Sequence, residues 1–149
     1  MAQRKLLFII LVILIFSSCA VNKVIDEHPD QILKQYAKAI SESDCKTLVR
    51  LYGGEYEFMA GFSPKEDRSN HEKVFKNYLK VLPDKIFLDE IIEKTAQNEN
   101  EIMYVVTFKK RDGSLFDVGD TQNRSSQFRF ALKKINGRFM VMDPPPYQA

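Results

Sequence analysis

The chain is short of the residues that most often carry chemistry. It has two histidines, two cysteines and six glycines in 149 residues. His28 and His71 lie far apart, and neither has a partner at metal-ligand spacing. A metal site and a histidine-based dyad are therefore not expected. No glycine pattern fits a phosphate cradle. Asp112, Asp117 and Asp120 share one stretch, but they lack the alternating ligand order of a calcium loop. No bound cofactor is expected. No internal repeat is visible, and the one low-complexity segment is Pro144-Pro145-Pro146. The 22 basic residues nearly balance the 20 acidic ones and gather on no single stretch. That balance argues against a nucleic-acid partner, which needs a concentrated basic surface.

What is present begins at the N-terminus. Arg4 and Lys5 precede an unbroken apolar run, Leu6 to Phe16. As a helix the run spans roughly 16 Å, about half of a ~30 Å hydrocarbon core, so it is too short for a membrane anchor. A basic start, a short apolar core and small residues before a cleavage point are the layout of a secretory signal. Phe16-Ser17-Ser18-Cys19-Ala20 resembles the lipobox of bacterial lipoproteins. The resemblance implies cleavage before Cys19, diacylation of its thiol with palmitate-type chains, and N-acylation. Several acyl chains hold firmly where one holds marginally. The expected localisation is the bacterial cell envelope, lipid-anchored, at the outer membrane or facing the periplasm. The plainer alternative is an ordinary secretory signal followed by a chance cysteine.

The chain then divides into a signal peptide (1–18), a tether (19–28), one domain (29–143) and a Pro-rich tail (144–149). Losing Arg4 and Lys5 brings the basic residues level with the acidic ones. With Cys19 acylated, Cys45 is the only free thiol. No internal disulfide is then available, and the fold must rest on its hydrophobic core.

The domain reads as α+β. Pro29 suits a first helical turn. Ile32, Leu33, Tyr36, Ala37 and Ile40 form one stripe on a 3.6-residue period. Ser43 or Asp44 caps a second helix carrying Leu48, Val49, Leu51 and Tyr52, which Gly53-Gly54 ends. Glu55 to Phe62 is read as a short strand. Ser69 to Glu72 reads as a capping box opening a third helix with Val74, Phe75, Tyr78, Leu79 and Leu82, stopped by Pro83. Strands are expected over 85–95, 102–110, 128–133 and 139–143, with a candidate functional loop over 112–125. Asn136-Gly137 marks a two-residue hairpin, because both positions tolerate positive φ. That loop pairs Ile135 with Arg138, Leu132 with Val141 and Phe130 with Asp143. Phe128, Phe130, Leu132 and Val141 then share one face, with Asp143 at its end. Ala131, Met140 and Met142 share the other with Arg129 and Lys133. Met103 and Val105 are candidates to join that second face.

Helix, helix, short strand, helix and four antiparallel strands resembles the cone-shaped nuclear-transport-factor-2-like (SnoaL-like, cystatin-like) fold. The likeness is carried by residues 32–40 (ILKQYAKAI), Asp44, Leu48 to Tyr52, and the strand pair around Asn136-Gly137. It implies three N-terminal helices packed on a curved antiparallel sheet. Some members of that group are isomerases or dehydratases, some bind small molecules and many are scaffolds, so the fold does not choose a function.

Two functions follow as expectations. The first is a membrane-anchored, non-catalytic binding or interaction module. Its pocket would be lined by Phe128, Phe130, Leu132 and Val141 and take a small apolar ligand. Its apolar outer face, Ala131, Met140 and Met142, would serve a homodimer or an envelope protein partner. The alternative is an isomerase or dehydratase, with Asp143 moving a proton and Tyr36, Tyr52 or Tyr104 holding an oxyanion. The plainer reading makes Asp143 a cap on the strand end and the tyrosines core residues. Cys45, at a helix start, is read as structural rather than reactive. Lys109-Lys110-Arg111 and Lys133-Lys134 are read as guards of sheet edges and turns, with contact to anionic headgroups the alternative.

Overall fold

The structure is a computed structural model, and it describes residues 28–82, 84–119 and 123–147. The signal segment, Cys19, the tether up to residue 27, Pro83 and Asp120 lie outside the described residues. Among the described residues, no helix is long and apolar enough to cross a membrane.

Helix α1 (Pro29–Glu42) buries Ile32, Leu33, Tyr36, Ala37, Ala39 and Ile40, the stripe that its spacing dictates. It ends at Ser43, whose left-handed backbone (φ 56°) turns the chain. Helix α2 (Cys45–Leu51) starts on the Asp44 carboxylate, which accepts the Thr47 N–H at 3.1 Å. Residues 55–62 do not form the expected strand. Glu57–Ala60 is a short helix, α3, that seats Met59 in the core. Phe58, Met59 and Phe62 follow a helical spacing rather than a strand alternation. Helix α4 (His71–Leu79) buries Val74, Phe75 and Tyr78. Its cap is Asn70, which accepts from the Lys73 N–H at 3.1 Å. The expected Ser69–Glu72 box is therefore displaced by one residue, and Lys73 stands where Glu72 was placed.

Four strands complete the domain: β1 (Ile86–Asn98), β2 (Glu101–Lys110), β3 (Gln127–Ile135) and β4 (Arg138–Val141). They form an antiparallel meander in chain order. Strand β1 carries three register irregularities, at Leu88/Glu90, Ile91/Glu93 and Ala96/Asn98. Such bulges bend a strand and add twist. Asn136 (φ 50°) and Gly137 (φ 81°) make the tight turn, and Leu132 pairs with Val141 and Ile135 with Arg138. The helices cover one sheet face, where Tyr104, Val106, Phe108, Phe130, Leu132 and Val141 are buried. The architecture is thus α+β, with helices on the concave side of a curved antiparallel sheet.

Two connections bind the helices and the β2–β3 loop to the sheet. After α2, Tyr52 bridges to Val141 in parallel, and the Gly53 N–H donates to the Val141 carbonyl at 2.8 Å. A Cβ on Gly54 would lie 2.1 Å from the Met142 carbonyl oxygen, so only glycine fits there. The β2–β3 loop is not a free excursion. The Phe116 N–H donates to the Phe108 carbonyl at 2.8 Å, and the Phe116 ring is wholly buried against Phe128. Phe116→Ala should therefore cost about 3–5 kcal/mol, as buried aromatic truncations do. Urea denaturation checks this, and a loss well under 1 kcal/mol would show that the loop is not anchored through this ring.

Candidate functional site

Asp143 stands where β4 ends, and its surroundings are unlike those of an open pocket mouth. The ladder's last backbone bond runs from the Met142 N–H to the Ala131 carbonyl at 2.8 Å. The reciprocal Ala131 N–H is taken by the Asp143 carboxylate at 2.6 Å. The side chain thus replaces a backbone rung, and Phe130 has no ladder partner in Asp143. Burial raises the Asp143 carboxyl above its ordinary range, against the bond from Ala131 and the charge of Lys133.

The tyrosines divide around it. The Tyr36 hydroxyl donates to the backbone carbonyl of Asp143 at 3.1 Å, not to its carboxylate. Tyr52 stacks on Tyr36 with ring centroids 6.4 Å apart, and its hydroxyl donates to the Glu55 carbonyl at 2.8 Å. Burial pushes the Tyr52 hydroxyl up to about 12 and that of Tyr36 well above its ordinary value. Tyr104 is elsewhere: its hydroxyl donates to the Asp30 carboxylate, which also takes Lys94 Nζ at 2.7 Å. Burial pushes Asp30 up, but the bonds from Lys94 and Tyr104 outweigh it and hold the carboxyl below its usual range. Asp143, Tyr36 and Tyr52 are therefore neighbours, and Tyr104 is not one of them. All three hydroxyl protons are committed, two to backbone carbonyls and one to a carboxylate.

The concave positions are filled. Phe130, Leu132 and Val141 are at most 2% exposed. Phe130 packs edge-on against Tyr36 and Phe108 at 6.1 Å, and Phe128 packs against Phe108 and Phe116 at 5.6 Å. Open concavities lie instead on the helical side. A groove of about 470 Å³ is lined by Ser43, Cys45, Lys76, Leu79 and Lys80. The Cys45 thiol there is pushed up by burial and by the nearby Asp44 and Glu72 charges, so the helix start does not activate it.

The remaining candidates occupy separate places. His71 stacks on Tyr56 with ring centroids 3.7 Å apart, and His28 Nδ1 lies 3.7 Å from Asp30. Asp112 accepts from Ser114 in a turn, and Asp117 pairs with Arg124 at 3.2 Å. Among the described residues, no group of acidic, histidine or cysteine side chains is placed to hold a metal ion.

The opposite sheet face carries no helix. Met103 pairs with Ala131 and Val105 with Arg129, so Met103 and Val105 do lie on the face of Ala131, Met140 and Met142. Met140 and Met142 are half-buried beside Gly53. Phe87, on the same face opposite Lys109, is 42% exposed. Sequence reasoning missed the Asp30–Tyr104–Lys94 cluster, whose partners lie in three separate elements with no local signal.

No family model and no curated protein matches the chain. Among solved structures it is similar to an NTF2-like protein from Campylobacter jejuni, with 14% identity and a TM-score of 0.45 over 78% of this chain and 99% of that one. It is also similar to an NTF-2 like protein of unknown function from Shewanella oneidensis MR-1, with 17% identity and a TM-score of 0.45 over 76% of this chain and 90% of that one.

The Asp143 carboxylate has a measurable role in folding. Asp143→Ala leaves the Ala131 N–H without its acceptor and should cost about 1–3 kcal/mol, while Asp143→Asn keeps an acceptor and should cost less. The folded state also holds the Asp143 proton more tightly than the unfolded chain does. Stability should therefore fall as pH rises from below the ordinary 3.8 through the raised folded value. Comparing Asp143→Asn with the parent isolates this contribution. An identical pH dependence in the two proteins would show that Asp143 contributes no such slope.

Proposed function

We propose that the chain is a membrane-anchored envelope lipoprotein whose domain is a non-catalytic interaction module. The observation that carries the non-catalytic reading is the state of the would-be catalytic set. The Asp143 carboxylate serves as a sheet rung, and the Tyr36, Tyr52 and Tyr104 protons are held by groups of the protein itself. An oxyanion hole needs donors aimed at empty space, and these are aimed at protein acceptors. The filled concave face supports the same reading, since a substrate pocket requires room for a ligand.

The anchor is supported by the N-terminal pattern: Arg4 and Lys5, the apolar run to Phe16, and Ser17-Ser18-Cys19. Cys19→Ser should move the protein from the membrane fraction to the soluble fraction of an envelope preparation. Unchanged membrane retention would sink the lipid anchor.

The interaction surface is the sheet face without a helix, centred on Ala131, Met140 and Met142 with Met103 and Val105 beside them. An apolar sheet face of this kind usually marks an interface, and a second copy is the occupant proposed. Lys133 on this face is paired with Glu101 of the same chain at 3.3 Å, so the pairing proposed rests on the apolar residues. Native mass spectrometry of the purified protein tests this. A dimer that Met140→Glu converts to monomer is expected; a parent protein that is monomeric at tens of micromolar removes the face from consideration.

A further inference from the structure

The methionines of the domain are sorted by place. Of the five in the chain, Met59, Met103, Met140 and Met142 lie among the described residues. Met59, on α3, is fully buried in the core. The other three lie together on the helix-free side of the sheet, and each is half-buried. Met103 pairs with Ala131 on β3, and the Met142 N–H donates to the Ala131 carbonyl from the opposite side. Met103 and Met142 therefore flank Ala131 in one row across three strands. Met140 lies two residues along the same face, opposite Lys133. A Cβ on Gly53 would lie 3.0 Å from the Met140 Cβ and 3.3 Å from the Met142 Sδ, so both side chains lie over the segment that follows α2.

A thioether is apolar and adaptable when reduced, and polar once it carries oxygen. Three of them in one patch make the polarity of the whole face depend on their oxidation state. A sulfoxide oxygen covered by a second copy needs a hydrogen-bond donor, and Ala131 and Val105 at the centre of the face offer no side-chain donor. Nothing comparable exists on the helical side. Met59 has no access to solvent, and burial and nearby carboxylates keep the Cys45 thiol protonated and less reactive. In the envelope, outside the reducing cytosol, the exposed thioethers meet oxidants directly.

We propose that Met103, Met140 and Met142 form an oxidation site that controls the sheet face, with hydrogen peroxide or a related peroxide as the oxidant. The thioether sulfur attacks one peroxide oxygen, a sulfur–oxygen bond forms and the O–O bond breaks. The departing hydroxide takes the proton of the transferred hydroxyl and leaves as water. Sulfur loses two electrons and the peroxide gains them. This rests on the reading of the sheet face as the surface that takes a second copy: reduced thioethers hold the copy, and sulfoxides release it. Exchange with the free protomer exposes the three sulfurs, whereas Met59 is reached only by opening the core.

The test treats the purified protein with hydrogen peroxide in a Cys45→Ser background, which removes that thiol from the readout. Peptide mass spectrometry follows oxygen uptake at each methionine, and native mass spectrometry follows the dimer. Met103, Met140 and Met142 should gain oxygen at least tenfold faster than Met59, and the dimer should decline as their sulfoxides accumulate. A variant with all three replaced by leucine, which conserves apolar volume, should remain dimeric through the same treatment. Oxidation of Met59 at the rate of the other three, or loss of the dimer in the leucine variant, would overturn the proposal. A dimer that persists with three sulfoxides would overturn the oxidative control alone. A protein that is monomeric before treatment would overturn the self-association reading beneath it.

Discussion

The sheet's last rung is made by a side chain, and much of the molecule is arranged around that substitution. At the end of β4 the chain must leave the ladder to run into three prolines, none of which can donate a backbone hydrogen bond. The Ala131 N–H would then face a retreating strand. The Asp143 carboxylate reaches back and takes it, while the Asp143 carbonyl, turned to the other side, receives the Tyr36 hydroxyl from α1. One residue thus closes the sheet and ties it to the main helix. Gly53 and Gly54 belong to the same junction, because the backbone after α2 passes against β4 too closely for a side chain. The raised carboxyl of Asp143 is a consequence of burial at this junction.

Helix α1 is held along its length by contacts of different kinds. Near its start Asp30 receives Tyr104 and Lys94 from the sheet. In its middle Tyr36 reaches the sheet end, and along the rest its apolar stripe lies on the concave face. The ion pair at Asp30 is partly exposed and contributes modestly; the burial of the stripe contributes most. The other side of the sheet carries no helix, and the Pro-rich strap after β4 closes the aromatic cluster of Phe58, Phe62 and Tyr78 through Tyr147.

The two ends of the domain differ in character. The helix-free sheet face carries half-buried methionines, side chains that adapt to irregular surfaces, and its Lys133 is paired with Glu101 of the same chain. The Pro-rich strap is fixed in register by the Tyr36 and Tyr78 hydroxyls.

The sequence by itself determined what depends on local period and turn chemistry. The stripe of α1 was legible because 3.6-residue spacing places Ile32, Leu33, Tyr36 and Ile40 on one side. The register of β3 and β4 was legible because Asn136-Gly137 admits one tight turn, and the pairing of Leu132 with Val141 comes from it. The α+β order and the sorting of Phe130 and Met140 to opposite faces rest on the same two facts. Residues 55–62 misled because aromatic enrichment suggested a strand where the spacing of Phe58, Met59 and Phe62 specified a helical turn. What only the tertiary structure decided was the direction in which each polar group points. The sequence offered Tyr36, Tyr52 and Tyr104 alike as neighbours of Asp143, and it carries no record of which hydroxyl arrives there or whether it meets the carboxylate or the carbonyl behind it. The strap is of the same kind: Pro144 to Tyr147 read as a tail, because the ring cluster that receives it is assembled from α3, α4 and the loop between them. Contacts between segments far apart in the chain are set by the packing of the whole core, and no local pattern encodes them.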